Sequence, residues 1–110
     1  MKLPTGESAI LDLRKIHDYC LSLVHPRGKH KARVFELVLG MTAEDSVVLA
    51  GALQRVAAEN EAIQGASDKY GDRFIIDFDL EHKGRTAAVR SCWIVLAGEI
   101  MPRFVSCYIL

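Results

Sequence analysis

The chain has 110 residues, 50% hydrophobic and 25% charged, with a formal net charge of zero. That length suits a single domain, residues 1–110, with a core that needs no staples, and the composition is that of a soluble globular protein. No apolar run approaches the roughly 20 residues of a membrane helix, and the opening MKLPTGESAILDLRK lacks the apolar segment of a signal peptide, so the expectation is a cytoplasmic protein without membrane contact, unless another machine delivers it into a target-cell cytoplasm.

Asp12 can cap a first helix running to about Ser22, with Leu13, Ile16 and Cys20 on one face. HPRG follows as a connector, broken by Pro26 and Gly28. A second helix is expected from about Lys29 to Leu39. Its apolar face is Ala32, Phe35 and Leu39, its opposite side is Lys29, Arg33 and Glu36, and Gly40 sits at the position after its end. Thr42 opens a third helix through TAED, a capping box with Asp in place of Glu, ending near Glu59. Gly51 in its middle costs about 1 kcal/mol relative to Ala, which points to close packing there.

After Asn60 the apolar period changes. AIQG reads as a short edge strand and SDKYGD as a turn. RFIIDFDL alternates, with Phe74, Ile76, Phe78 and Leu80 on one face. EHKGR reads as a hairpin loop, TAAVRSCWIVLA as a long strand, GEIMP as a second connection and RFVSCYIL as a last strand. The fold class is therefore α+β: about three helices packed on one face of a three- to four-stranded antiparallel sheet. Alternation groups Val89, Ser91, Trp93 and Val95 on one strand face and Ser106 with Tyr108 on another. The polar atoms in these sets suggest one outer surface of Ser91, Trp93, Ser106 and Tyr108. Cys92, Ile94, Val105, Cys107 and Ile109 would then face the core, with Arg90 as an exception on that side.

The zero net charge hides an asymmetry. Residues 1–40 carry seven Lys/Arg against four Asp/Glu, residues 41–81 three against nine, and residues 82–110 four against one. If the two basic ends meet, a basic patch forms; otherwise the charges scatter over a solvated surface. The densest stretch is HPRGKHKARVF, with His25, Arg27, Lys29, His30, Lys31 and Arg33 and no acid. Cations at a helix start oppose the helix dipole, and an anion such as phosphate would resolve the conflict. Cys20, Cys92 and Cys107 match no zinc spacing, and an odd count argues against a closed disulfide set. Buried free thiols are the simplest reading, with Cys92 and Cys107 as cross-strand neighbours.

RNA cleavage without a metal needs a base for the 2′-hydroxyl, an acid for the leaving oxygen and cations for the phosphate. His25 and His30 are candidates for proton transfer. Lys29, Lys31, Arg33, Arg90 and Arg103 can supply charge, and Trp93 and Tyr108 can stack on bases. Each also has a plain reading as a surface or packing residue. His17 lies on a polar helix side and His82 in a hairpin loop, which suits them less. Asp77 and Asp79 share a strand face, but two acids without a third ligand are better explained as a solvated face than as a metal site. No cofactor is expected.

DYCLSLVHPRGKHKARVFELVLGMT resembles the YLLN-x-xHP-x-GKHKA-x-xF-x-x-x-LG signature of small bacterial proteins grouped as a domain of unknown function. TAAVRSCWIVLAGEIMPRFVSCYIL resembles that family's ending, PR-x-V-[ST]-x-Y. The resemblance extends to barnase/EndoU/colicin/RelE-like (BECR) ribonuclease toxins. It implies a toxin-like, metal-independent endoribonuclease of bacterial conflict systems, with tRNA as one candidate target and a cognate immunity or antitoxin protein as partner. By position it picks out His25, Gly28, Lys29, Lys31 and Phe35 in the first motif and Arg90, Ser91, Trp93, Pro102, Arg103, Ser106 and Tyr108 in the second, of which Gly28, Phe35 and Pro102 serve backbone and packing. With the charges read above, the catalytic candidates are His25, Lys31, Arg90, Ser91, Ser106 and Tyr108, and the substrate-binding candidates are Arg27, Lys29, His30, Arg33, Trp93 and Arg103. Two alternatives stay open: a non-catalytic partner in a toxin–antitoxin-like pair, and an RNA-binding module without cleavage.

Overall fold

The structure, a computed structural model, describes residues 1–110. It is an α+β fold in which the helices come first and a four-stranded antiparallel sheet, ordered β1-β2-β3-β4, follows. Asp12 does cap the first helix, accepting from the Arg14 N–H at 2.9 Å. That helix, α1 (Leu13–Lys15), gives way at once to a π-helical turn over Ile16–Cys20. Its widened ladder closes with the Leu21 N–H on the Ile16 carbonyl at 2.9 Å. Ile16 and Cys20 are buried as expected, whereas Leu13 stays exposed.

Helix α2 spans Lys29–Leu39 and buries Ala32, Phe35 and Leu39. Gly40 ends it in the left-handed region (φ 63), which a side chain would disfavour. Its N–H reaches the Glu36 carbonyl and that of Met41 the Phe35 carbonyl. Thr42 and Asp45 form the expected capping box, with the Thr42 N–H on Asp45 Oδ2 at 2.9 Å. A single 3-10 turn then leads into α3 (Ser46–Glu59). The close packing expected at Gly51 is not there. The residue is exposed, and a Cβ would meet nothing within 4 Å.

The strands are β1 (Ile63–Asp68), β2 (Gly71–His82), β3 (Arg85–Leu96) and β4 (Arg103–Ile109). β2 and β3 join through two residues, Lys83 and Gly84, both with positive φ (52 and 76) as a tight hairpin requires. Phe74, Ile76, Phe78 and Leu80 face the core, each large side chain contributing about 1.5–3 kcal/mol on full burial. The free side of β4 is covered by the N-terminal segment: the Ile10 N–H donates to the Pro102 carbonyl at 2.8 Å and the Phe104 N–H to the Ile10 carbonyl at 2.9 Å.

The face assignment of β3 is a correction. The alternating sets are as expected, but the sides are exchanged. β3 pairs with β2 so that Val89, Ser91 and Trp93 lie opposite Phe78, Ile76 and Phe74. They therefore enter the core, at 0%, 0% and 1% exposure. The polar atoms that suggested a surface satisfy each other instead. Trp93 Nε1 donates to Ser91 Oγ at 2.9 Å, and Ser91 Oγ donates to the Ile76 carbonyl at 2.8 Å. Cys92 and Ile94 take the outer face with Arg90. In β4 the register slips between Cys92 and Trp93, so Phe104 pairs with Trp93 while Ser106 pairs with Cys92. Val105 is the extra residue of this bulge and is exposed. Phe104 and Cys107 both reach the core, and Ser106 and Tyr108 point outward. Phe104 meets Trp93 edge to face, ring centroids 5.4 Å apart.

Replacing Ser91 by Ala leaves the buried Trp93 indole N–H without an acceptor. Urea denaturation of Ser91→Ala should show a loss of about 1–3 kcal/mol; an unchanged midpoint would mean that the indole finds another partner.

Candidate functional site

The sequence HPRGKHK folds as a loop tied to itself before α2 begins. Ser22 Oγ accepts the Val24 and His25 N–H groups at 3.3 and 3.1 Å. His25 Nδ1 accepts the Arg27 and Gly28 N–H groups, both at 3.0 Å, and its carbonyl accepts that of Lys29. The His25 ring thus takes the role of a capping side chain, and its mobile proton belongs on Nε2. The Tyr19 ring meets it edge to face at 4.7 Å. Gly28 lets the loop lie on the π-turn: a Cβ there would sit 2.3 Å from the Tyr19 carbonyl oxygen. The N–H groups of His30 and Lys31 have no protein acceptor and open outward at the start of α2.

Five cationic or titratable side chains crowd this start: Arg27, Lys29, His30, Lys31 and Arg33. None takes part in an ion pair, in contrast to Arg14, Arg73, Arg90 and Arg103, which all do. α2 packs over β3 and β4, and there Lys31 reaches the C-terminal strand. Its Nζ lies 4.7 Å from the Tyr108 ring centroid. Tyr108 in turn faces Arg90 across the β3–β4 ladder, and Arg90 faces Asp77 across β2–β3. Asp77 grips the guanidinium with both oxygens, Nε–Oδ1 at 2.8 Å and Nη2–Oδ2 at 2.9 Å. The two basic ends of the chain do meet here, as one row of Lys31, Tyr108, Arg90 and Asp77. Ser106 lies one pair along, opposite Cys92.

The expected site residues therefore divide. Lys31, Arg90, Ser106 and Tyr108 come together on the outer face near the β4 edge. His25, Arg27, Lys29, His30 and Arg33 belong to the adjoining loop and first turns, with no hydrogen bond or ion pair to β3 or β4. Arg103 is at the opposite end of β4, five residues or roughly 17 Å from Tyr108 along the strand, and is held by Glu99 at 2.9 Å. It does not join the cluster. Ser91 and Trp93 are enclosed in the core and present no surface to a ligand. Asp77, read from sequence as a solvated acid, is the residue missed: only the register across the hairpin places it on Arg90. Ser22 and Tyr19, which shape the loop, were missed for the same reason, since their contacts lie outside any local period. Beside the loop, an open cleft of about 510 Å³ is lined by Leu21, Leu23, Val24 and Ala43 with Asp18 and Glu44 among its rim. No group of His, Cys, Asp and Glu has the arrangement of a metal site, and no helix is long and apolar enough to cross a membrane.

The chain belongs to the family described as Domain of unknown function (DUF6883), whose family model matches residues 2–110. Its fold is similar to that of a chain in the contact-dependent growth inhibition toxin–immunity protein complex from Klebsiella pneumoniae 342. The TM-score is 0.72 at 15% sequence identity, covering 92% of this chain and 99% of that one. At that identity the likeness is one of fold. No curated protein matches the sequence.

Two outcomes follow from this geometry. His25→Asn keeps a side-chain acceptor for the Arg27 and Gly28 N–H groups, whereas His25→Ala removes it at a cost of about 0.5–2 kcal/mol, as for a lost cap. Thermal melts should rank the wild type and Asn above Ala, and equal melting of all three would deny the ring its capping role. The second concerns pH. The Arg90 guanidinium beside Asp77 holds its carboxyl below the usual aspartate range. A depressed carboxyl stabilises the fold above its unfolded-state value and loses that contribution as pH falls through the folded one. The pair is about a third exposed, so its worth is about 0.2–1 kcal/mol. Asp77→Asn should remove this increment of stability at neutral pH, and its gap to the wild type should close as pH falls through the lowered folded-state value, where the wild-type carboxyl also protonates.

Proposed function

We propose that this chain is a toxin-like, metal-independent endoribonuclease domain acting on RNA of the tRNA class, with a cognate immunity protein as its protein partner. The observation that carries the reading is the meeting of unpaired cations at the start of α2 with Tyr108 and Arg90 of the sheet, through Lys31 at 4.7 Å from the Tyr108 ring. Those residues come from two motifs far apart in the sequence. The fold shared with a chain of a toxin–immunity complex supports the same reading.

In this mechanism Lys31 and Arg90 flank the scissile phosphate and offset the charge that grows on its oxygens as the 2′-hydroxyl attacks. Arg27, Lys29 and Arg33 hold neighbouring phosphates, helped by the outward N–H groups of the first turn. The Tyr108 ring offers a stacking face, and its hydroxyl is the candidate proton donor to the leaving oxygen. His25, with Nδ1 occupied by the loop, can donate a hydrogen bond through Nε2 to a phosphate oxygen and steady its charge, while exposed His30 is the candidate base. Arg90 serves fully only when phosphate displaces or shares it with Asp77. The apolar cleft beside the loop is a surface on which an immunity protein can rest while covering the cations.

Incubating the purified chain with total tRNA in EDTA should yield fragments ending in 2′,3′-cyclic phosphate. Lys31→Ala or Tyr108→Phe should slow cleavage about 10²–10⁴-fold, and Arg103→Ala should not. Asp77→Asn, which releases Arg90, should tighten RNA binding. Removing Lys29 and Arg33 together should reduce the dependence of log affinity on log salt by about 0.7–0.9 per lost phosphate contact. Intact tRNA combined with no RNA affinity at low salt would overturn the reading and leave the protein partner as the ligand.

A further inference from the structure

The two edges of the sheet are treated differently. The β4 edge is occupied by the N-terminal segment through Ile10. On the other side β1 is half as long as β2, 6 residues against 12, and pairs with it only from Gly71 to Ile75. No strand or bridge runs beside the rest of β2, so its backbone from Asp77 to Glu81 borders an open lane. The hairpin shows which groups point into it. The Ala88 carbonyl accepts the Leu110 N–H at 2.9 Å, so Ala88 turns its backbone toward β4. Asp79, its partner across β2–β3, then turns its own N–H and carbonyl the other way. Asp77 and Glu81 share that phase, and the N–H and carbonyl groups of these three residues have no protein partner.

A bare strand edge is a joining point for another strand, and the side chains along this one decide what joins. Asp77, Asp79 and Glu81 all project to the outer face and are exposed. Asp77 is held by Arg90, but Asp79 and Glu81 face Ala88 and Thr86 across the ladder and take part in no ion pair. A second copy of the chain is the wrong occupant. Antiparallel self-pairing centred on Asp79 sets Asp77 against Glu81 and Asp79 against itself, and like charges directly opposite repel. A strand with cations at alternate positions meets Asp79 and Glu81 with opposite charge. Its intervening residues face the rim of Phe78 and Leu80 and favour apolar side chains.

We infer that the open edge of β2, from Asp77 to Glu81, is a strand-addition site for a protein segment that alternates Lys or Arg with apolar residues. Main-chain hydrogen bonds supply the affinity, and the two unpaired acids select the partner. The edge lies across β3 from β4 and the start of α2, and the inference does not depend on the RNA reading.

The test follows amide hydrogen exchange of the full chain by nuclear magnetic resonance, with and without a synthetic peptide of Lys-Val repeats. In the free protein the amides of Asp77, Asp79 and Glu81 should exchange much faster than those of Phe78 and Leu80, and the peptide should protect all three. A peptide of the same sequence with every backbone nitrogen methylated should not bind. Asp79→Lys with Glu81→Lys should lose the Lys-Val peptide and gain one of Glu-Val repeats. Equal protection of all five amides in the free protein would overturn the inference, because the edge is then covered. So would equal binding of the methylated peptide, which is charge attraction without strand addition, or protection of the edge by a second copy at high protein concentration. If the double lysine variant fails to fold, Asp79→Asn with Glu81→Gln decides: weaker binding of the Lys-Val peptide supports the site, and unchanged binding contradicts it.

Discussion

The burial of Trp93 at the centre of the sheet is the constraint on which the arrangement depends. An indole can enter a core only if its N–H finds an acceptor, and here the acceptor is the side chain two residues back on the same strand face, Ser91. That choice fixes which side of β3 meets the helices. Once Ser91 and Trp93 turn inward, Arg90 and Cys92 must turn outward. The bulge at Val105 then lets Phe104 cover Trp93 without dragging Ser106 and Tyr108 into the core. Arg90 and Tyr108 become outer-face neighbours as a consequence of how the core is filled.

The second element of the site is brought by the helices. Phe35 and Leu39 seat α2 against the sheet, and Gly28 allows the preceding loop to lie on the π-turn. With α2 held there, its first turn overhangs the β4 edge and Lys31 reaches Tyr108. The cations of this turn oppose the helix dipole by about 0.3–1 kcal/mol each. No acid relieves them, although acids elsewhere in the chain neutralise Arg14, Arg73, Arg90 and Arg103. Uncompensated charge of this kind is what a phosphate ligand requires. Asp77 acts in the opposite sense, keeping Arg90 oriented and partly neutralised.

Much of this was legible in the residues. The bounds of α2, the Asp12 cap, the Thr42 capping box and the alternation of Phe74 to Leu80 are local patterns, and each formed as read. What failed was non-local. Alternation alone cannot say which side of β3 is inside, and a serine beside a tryptophan looks like surface until the two satisfy each other. The two-residue turn at Lys83–Gly84, had its length been recognised within EHKGR, would have set the register and placed Asp77 opposite Arg90. The bulge at Val105 has no comparable signal, since nothing in RFVSCYIL marks the extra residue. Arg103 and Tyr108, grouped by their motif, stand at opposite ends of one strand, because proximity in a motif is distance along a strand. His25 kept its prominence but changed its work, from a free imidazole to one whose Nδ1 builds the loop.

The central claim is that the start of α2 and the outer face of β3–β4 act as one anion-binding surface. Nuclear magnetic resonance titration of the protein with a tRNA anticodon stem-loop at low salt tests it most directly. The account predicts that the amide signals of Arg27–Arg33 and of Arg90, Ser106 and Tyr108 shift together along one saturation curve, while those around Arg103 stay in place. Shifts confined to one set, or two sets saturating at different concentrations, would contradict it.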